Sequence, residues 1–218
     1  MNKKEKKIVA AEIVERLKGI YPEAFCALEW GGEKDNGWKL LVMGRLSAQC
    51  TDARVNIVCK SLFAKYPTLE SLAYASVTDV EEIVRPCGLY HMKAKDIVAA
   101  CKMLVEDFDG RVPDNMDDLL KLSGVGRKIA NLMLGDLYGK PAIVADTHCI
   151  RICGRLGFYD ESLKDPTKVE KIMAEIVEPC EQSDFCHRIV QFGRDVCAAR
   201  TPKCSQCPLA DVCKGKRD

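Results

Sequence analysis

The sequence predicts an all-α fold on three observations. Apolar residues recur with the helical period along nearly the whole chain. Clear helix starts and stops bound those stretches. No stretch alternates at period two, and β-branched runs are short. Roughly ten helices with short connections are expected.

The elements come in this order. Met1 to Lys7 is mostly lysine, and the apolar-periodic stretch behind it carries Glu12, Glu15, Arg16 and Lys18. Those charges interrupt any secretory core, so no export leader is expected. Pro22 to Trp38, with Gly31, Gly32 and Gly37 among charges, reads as a loop. Val55, Val58, Cys59, Leu62 and Phe63 form a helical stripe that Pro67 closes. Thr78 with Glu81 has the pattern of a capping box. Ile97, Val98, Cys101, Leu104 and Val105 make a second stripe. Asp165 before Pro166 gives an N-cap with proline at the first helical position. Val169, Ile172, Met173, Ile176 and Val177 then continue as a stripe to a stop at Pro179. No internal repeat and no low-complexity linker divide the chain.

Composition bounds the function classes. With 218 residues, 47% hydrophobic and 30% charged, the chain can bury a sizeable core and lacks the signature of disorder. No apolar run approaches a membrane span, so a cytoplasmic location and no membrane partner are expected. The net charge of +1 hides a basic tail. His187 to Asp218 holds seven Lys or Arg against three Asp, which is the footprint of a nucleic-acid contact or of ordinary solvated charge. Thirteen cysteines, an odd count, argue for a reducing compartment rather than a disulfide framework.

Four of those cysteines cluster. Cys197, Cys204, Cys207 and Cys213 are spaced C-x6-C-x2-C-x5-C. Four thiolates within 17 residues can wrap one metal centre. Iron–sulfur suits a compact all-cysteine loop, and tetrahedral zinc is the rival, although zinc sites usually come as two close pairs. Arg200 and Lys203 lie in the long arm, where they suit a phosphate contact or simple solubility. The other nine, at positions 26, 50, 59, 87, 101, 149, 153, 180 and 186, read mostly as core.

Leu122-Ser123-Gly124-Val125-Gly126-Arg127-Lys128 separates two helical patterns, one ending at Leu119, Leu120 and Leu122 and one running from Arg127 to Tyr138. Two glycines one residue apart allow a tight turn at a helix N-terminus, with backbone N–H groups turned toward a phosphate. That is a helix–hairpin–helix, with an ordinary helical corner as the bland alternative. Val144-Ala145-Asp146-Thr147-His148 comes next, and Asp146 is expected at a helix start. Taken alone it is an N-cap.

With these residues in view, the chain resembles the endonuclease III family of helix–hairpin–helix DNA glycosylases and abasic-site lyases. The resemblance rests on Leu46-Ser47-Ala48-Gln49 with Thr51-Asp52, Gly88-Leu89-Tyr90, Leu122 to Lys128, Asp146-Thr147-His148 and the four cysteines. It extends from the forties to the C-terminus. It implies a two-lobed fold: a six-helix domain over 38–139 containing the hairpin, and a cluster domain from 1–37 and 140–218, with the active cleft between them. It implies a 4Fe–4S cluster on Cys197, Cys204, Cys207 and Cys213. Lys128 falls on the family's nucleophile and Asp146 on its aspartate. Gln49 would fill the gap left by the flipped base, and Leu89 would wedge into the opposite strand. Gly124, Val125, Gly126, Arg127, Arg200 and Lys203 would meet the DNA backbone. The implied partner is double-stranded DNA carrying damaged bases or abasic sites, bound by a monomer. His148 and Thr147 are assigned no chemistry, and a histidine there is expected to make structural hydrogen bonds.

The implied chemistry is consistent with these residue types. An amine attacks C1′ of the deoxyribose, the base leaves, and the Schiff base acidifies C2′–H for β-elimination. Water could release the base but could not form that imine. Three segments depart from the family pattern. Gly44-Arg45 is expected to interrupt the helix before Leu46. Gly135-Asp136 stands where an asparagine is common, and Gln191-Phe192-Gly193 replaces a histidine-bearing segment. They bear on the base pocket, for which oxidised pyrimidines are the family default. Two alternatives stay open: an abasic-site lyase with little glycosylase activity, and a non-catalytic iron–sulfur DNA-binding or redox module. The colour of purified protein separates cluster from zinc, and strand cleavage separates enzyme from module.

Overall fold

A computed structural model describes residues 1–215; of the basic tail, Lys216, Arg217 and Asp218 lie outside the described residues. Those residues form eleven α-helices, short 3-10 turns and one π turn, with no strand among them. Contacts divide the chain into two compact units, Cys26–Tyr138 and Met1–Phe25 with the chain from Gly139 onward. Residues 26–37 therefore belong with the middle of the chain.

The middle unit holds α2 (Gly37–Leu46), α3 (Asp52–Lys65), α4 (Leu69–Ala73), α5 (Val77–Val84), α6 (Tyr90–Asp107), α7 (Met116–Leu119) and α8 (Arg127–Leu132). The predicted stripe on α3 is buried at Val55, Val58, Cys59 and Leu62. Phe63 instead meets the edge of Trp38 on α2, with ring centroids 5.4 Å apart. Thr51 caps α3 by accepting from the Arg54 amide at 3.4 Å. On α6 the stripe buries Ile97, Cys101 and Leu104.

Two sequence expectations fail here. α5 starts two residues before the predicted capping box, at an N-cap of Ser76, so Thr78 lies inside the first turn and exposed. Gly44-Arg45 does not interrupt α2. Gly44 faces α8, where an added Cβ would stand 3.3 Å from Leu132 and 3.4 Å from Ile129. Arg45 is held to Asp96 on α6, with Nη2 2.7 Å and Nε 2.8 Å from Oδ2. Packing and a partly buried ion pair override the poor helix propensity of glycine.

The second unit holds α1 (Lys3–Ile20), α9 (Thr147–Arg155), α10 (Pro166–Ile176) and α11 (Gln182–Asp195). Its core joins Ile13 and Leu17 of α1 to Ile152, Phe158, Met173 and Phe192. α10 begins as predicted, with Asp165 accepting from the Thr167 and Lys168 amides ahead of Pro166. Arg188 leaves the predicted basic patch. It is buried and donates through Nε to the Tyr21 carbonyl at 3.0 Å, supplying the end of α1 with the donor its helix lacks.

α11 can pack on α9 because residue 193 is glycine. A Cβ there would collide with His148 Nδ1 and reach Ile152 Cδ1 at 2.8 Å. Such overpacking costs about 1–3 kcal/mol, and the better helix propensity of alanine offsets about 1 kcal/mol. Gly193→Ala should therefore lower the melting temperature by a few degrees. An unchanged or raised value in a thermal melt would show that α11 is free to shift.

Candidate active site

The hairpin is built from behind. Gly124 has φ 72, and a Cβ on it would meet Arg45 Nε and Asp96 Cβ, each at 2.7 Å. Only glycine fits that left-handed, crowded position. Ser123 Oγ donates to Asp96 Oδ1 at 3.2 Å, so Asp96 holds both Arg45 and the turn. Val125 is committed to the fold: its side chain is buried and its N–H donates to the Leu122 carbonyl at 3.1 Å. Gly126 is the N-cap of α8, and nothing lies within 4 Å of where a Cβ would stand. The Val125 N–H is thus spent within the turn.

Lys128 is the second residue of α8 and is exposed. Arg127, beside it, is half-buried. Behind them the helix widens into a π turn over Met133–Leu137, which contains the unusual Gly135-Asp136 pair. Gln49 and Leu89 belong to the same unit and share a backbone feature that sequence did not forecast. Both are exposed, non-glycine residues with left-handed backbone, at φ 53 and φ 49.

Asp146 stands at a helix start in the second unit. It caps α9, accepting from the Cys149 amide through Oδ1 at 2.7 Å. The cap uses one carboxylate oxygen. His148 Nδ1 is 3.2 Å from Arg151 Nη2, a structural contact of the kind expected for it.

The far end of α9 holds the cysteine loop. Arg155 is 4% exposed. Its Nη1 donates to the Ala198 carbonyl at 2.8 Å and approaches Cys197 Sγ at 3.3 Å, while Nη2 donates to the Ala199 carbonyl at 2.8 Å. Its own carbonyl accepts from the Gly215 amide at 2.7 Å. Arg151 Nη2 donates to the Cys197 carbonyl at 3.0 Å. Arg16 of α1 clamps the other side, with Nη1 and Nη2 at 2.6 and 2.8 Å from the two oxygens of Asp211. That guanidinium holds the Asp211 carboxyl at about 2, below the usual carboxylate range. Sequence reasoning missed Arg151, Arg155 and Arg16; an arginine on an apolar helix face (Cys149, Ile152, Arg155) was the available signal.

Cys197, Cys204, Cys207 and Cys213 all line one cavity, whose other walls include Ile152, Phe192 and Leu209. All four are free, half-buried thiols. Burial pushes the Cys207 and Cys213 thiols up, and negative charge on Cys197 or Cys204 pushes both the same way. Four thiolates together therefore need a cationic centre among them. Four cysteines lining one cavity can hold a multi-iron cluster, whose ligands are spread over several metals. Arg200 and Lys203 are exposed on the loop. Of the other cysteines, 59, 87, 101, 149, 153 and 186 are buried as expected, 26 and 50 are half-buried, and Cys180 is exposed.

Comparison with known proteins agrees with this geometry. Residues 42–179 match the HhH-GPD superfamily of base excision DNA repair proteins. Residues 197–213 match the iron–sulfur binding domain of endonuclease III. Endonuclease III of a Synechocystis species is 42% identical over 209 residues, covering 95% of this chain and 93% of the relative. The Bacillus subtilis enzyme is 39% identical, covering 94% and 92%. Among solved structures, a trapped endonuclease III–DNA covalent intermediate superimposes with a TM-score of 0.88 at 38% identity, covering 99% of this chain and 97% of that one.

Proposed function

Because this chain belongs to the endonuclease III family of helix–hairpin–helix base excision repair enzymes, we propose that Lys128 is its nucleophile, Asp146 its catalytic carboxylate and oxidised pyrimidines in duplex DNA its substrates. The chain is a DNA glycosylase and abasic-site lyase with a 4Fe–4S cluster. The observation that carries the residue assignment is an exposed lysine in the first turn of α8, directly behind a glycine hairpin that can hold phosphate.

In this reading the target nucleotide leaves the helical stack. Gln49 fills the gap and Leu89 wedges into the opposite strand. Gly124, Gly126 and Arg127 hold the backbone on one side of the lesion, and Arg200 and Lys203 hold it from the cysteine loop. The neutral Lys128 amine attacks C1′. Asp146 stabilises the sugar cation as the base leaves and then assists proton transfer. The Schiff base allows a proton to leave C2′, and the 3′ phosphate departs by β-elimination. The cluster holds the Arg200 and Lys203 loop in shape. The protein acts as a monomer, in a reducing cytoplasm that keeps its thirteen cysteines as thiols.

Base range is tested on duplexes that carry thymine glycol, thymine opposite guanine, or an abasic site. The expected result is release of thymine glycol with a strand break, and no release of the mismatched thymine. Cleavage of the abasic site alone would reduce the enzyme to a lyase.

A further inference from the structure

Lys93 is wholly buried on α6. Its Nζ donates to two backbone carbonyls, Leu46 and Cys87, each at 2.8 Å. Leu46 is the last residue of α2, and Cys87 is the last residue of the 3-10 turn Arg85–Cys87. Carbonyls at helix ends lack donors from their own helix, and the helix dipole favours a cation there. One ammonium therefore closes two helix ends that are far apart in sequence. The Lys93 amide also donates to the Leu89 carbonyl at 3.0 Å, so Lys93 is tied directly to the turn that starts its own helix.

Each closed end leads straight into a residue that faces DNA in the reading above. Three residues beyond Leu46 comes Gln49, and two beyond Cys87 comes Leu89. Among the described residues only one other non-glycine, Asp109, has a positive φ. Backbone of this kind persists where the surroundings over-determine it. Stability alone does not explain a charge here, because apolar packing of the same volume generally serves a core as well. What an apolar side chain cannot do is hold two carbonyls from separate segments at a fixed spacing.

We infer that Lys93 is a positioning residue for duplex opening, fixing the Gln49 and Leu89 turns to each other so that plug and wedge enter DNA as one rigid tool. The inference rests on the DNA roles proposed above for Gln49 and Leu89. Lys93 touches neither substrate nor reacting atoms; it acts through those two turns.

The test compares wild type, Lys93→Met and a Gln49→Ala/Leu89→Ala double variant in single-turnover lyase assays. Each is given an abasic site in duplex DNA and the same site in a single strand, which needs no opening. Lys93→Met keeps the stem and loses the donors. Its duplex rate should fall at least about tenfold, as expected for losing hydrogen bonds to a charged group, while its single-strand rate stays near wild type. Equal loss on both substrates would mean general structural damage and overturn the inference. So would a wild-type duplex rate in Lys93→Met while the double variant is defective. If the double variant itself shows no duplex defect, the proposed roles of Gln49 and Leu89 fail, and the inference falls with them. If Lys93→Met does not fold, Lys93→Gln, which keeps one amide donor, goes through the same two substrates with the same outcomes.

Discussion

Lys128→Gln should abolish the adduct that borohydride traps between the protein and an abasic site, and should lower strand cleavage by roughly 10⁴-fold or more. An amide nitrogen cannot form an imine, so the covalent route is removed rather than slowed. The fold gives no reason for collateral damage. Lys128 is exposed, and it sits in the first turn of α8, where the helix dipole disfavours a cation. The melting temperature should therefore hold or rise slightly. Asp146→Asn is the matching control for the carboxylate. Asparagine can still accept from the Cys149 amide and cap α9, so any loss of base release reports the missing charge and not a frayed helix. An adduct that survives in Lys128→Gln would move the nucleophile to another amine.

Cys207→Ser should bleach the iron–sulfur absorbance and release the C-terminal loop. Little else holds that loop. Leu209 is its one fully buried apolar side chain among the described residues, and the rest depends on Arg155, Arg151 and the Arg16–Asp211 pair. Without the cluster, Arg155 keeps its carbonyl partners at Ala198 and Ala199, but the loop beyond them loses the centre that ties its cysteines together. Arg200 and Lys203 then have no fixed place from which to meet phosphate. Each lost phosphate contact should flatten the dependence of log affinity on log salt by about 0.9, so the slope should change by about 2. Far-UV circular dichroism should change little, because residues 26–138 pack around their own core. A colourless wild-type protein with one zinc and the same loop stability would sink the cluster assignment.

How far these features were legible in sequence depended on whether they are local. The stripe on α3 and the Asp165–Pro166 start of α10 are set by neighbours three and four residues apart, and both are found where the spacing puts them. The start of α5 is local too, but Ser76 and Thr78 are both competent caps and the pattern chose the wrong one. Gly44-Arg45 was misread because its helix is kept by α8 and by Asp96, 51 residues away. Among candidate site residues, the four cysteines, Gly124 and Asp146 carry their reasons in their spacing. Lys93, Asp96 and Arg155 do not, since each acts by bonding groups distant in sequence. A trace of Lys93 was present nonetheless. Extending the stripe at Ile97, Cys101 and Leu104 back by one turn lands on a lysine, and a lysine on an apolar face must find partners inside.

The division of the chain also has a consequence for its biosynthesis. Residues 26–138 are contiguous and can condense while the ribosome is still extending the chain. α1 cannot. Its Arg16 binds Asp211, 195 residues downstream, and its Ile13 and Leu17 pack on helices made after residue 143. At 5–20 residues per second, α1 waits on the order of 10–40 s for its partner. Through that interval its apolar face is unpaired, and Lys3, Lys4, Lys6 and Lys7 at its start keep that end of the helix in water. The four cysteines follow α11 in the chain, so iron loading and the docking of α1 fall at the same late moment.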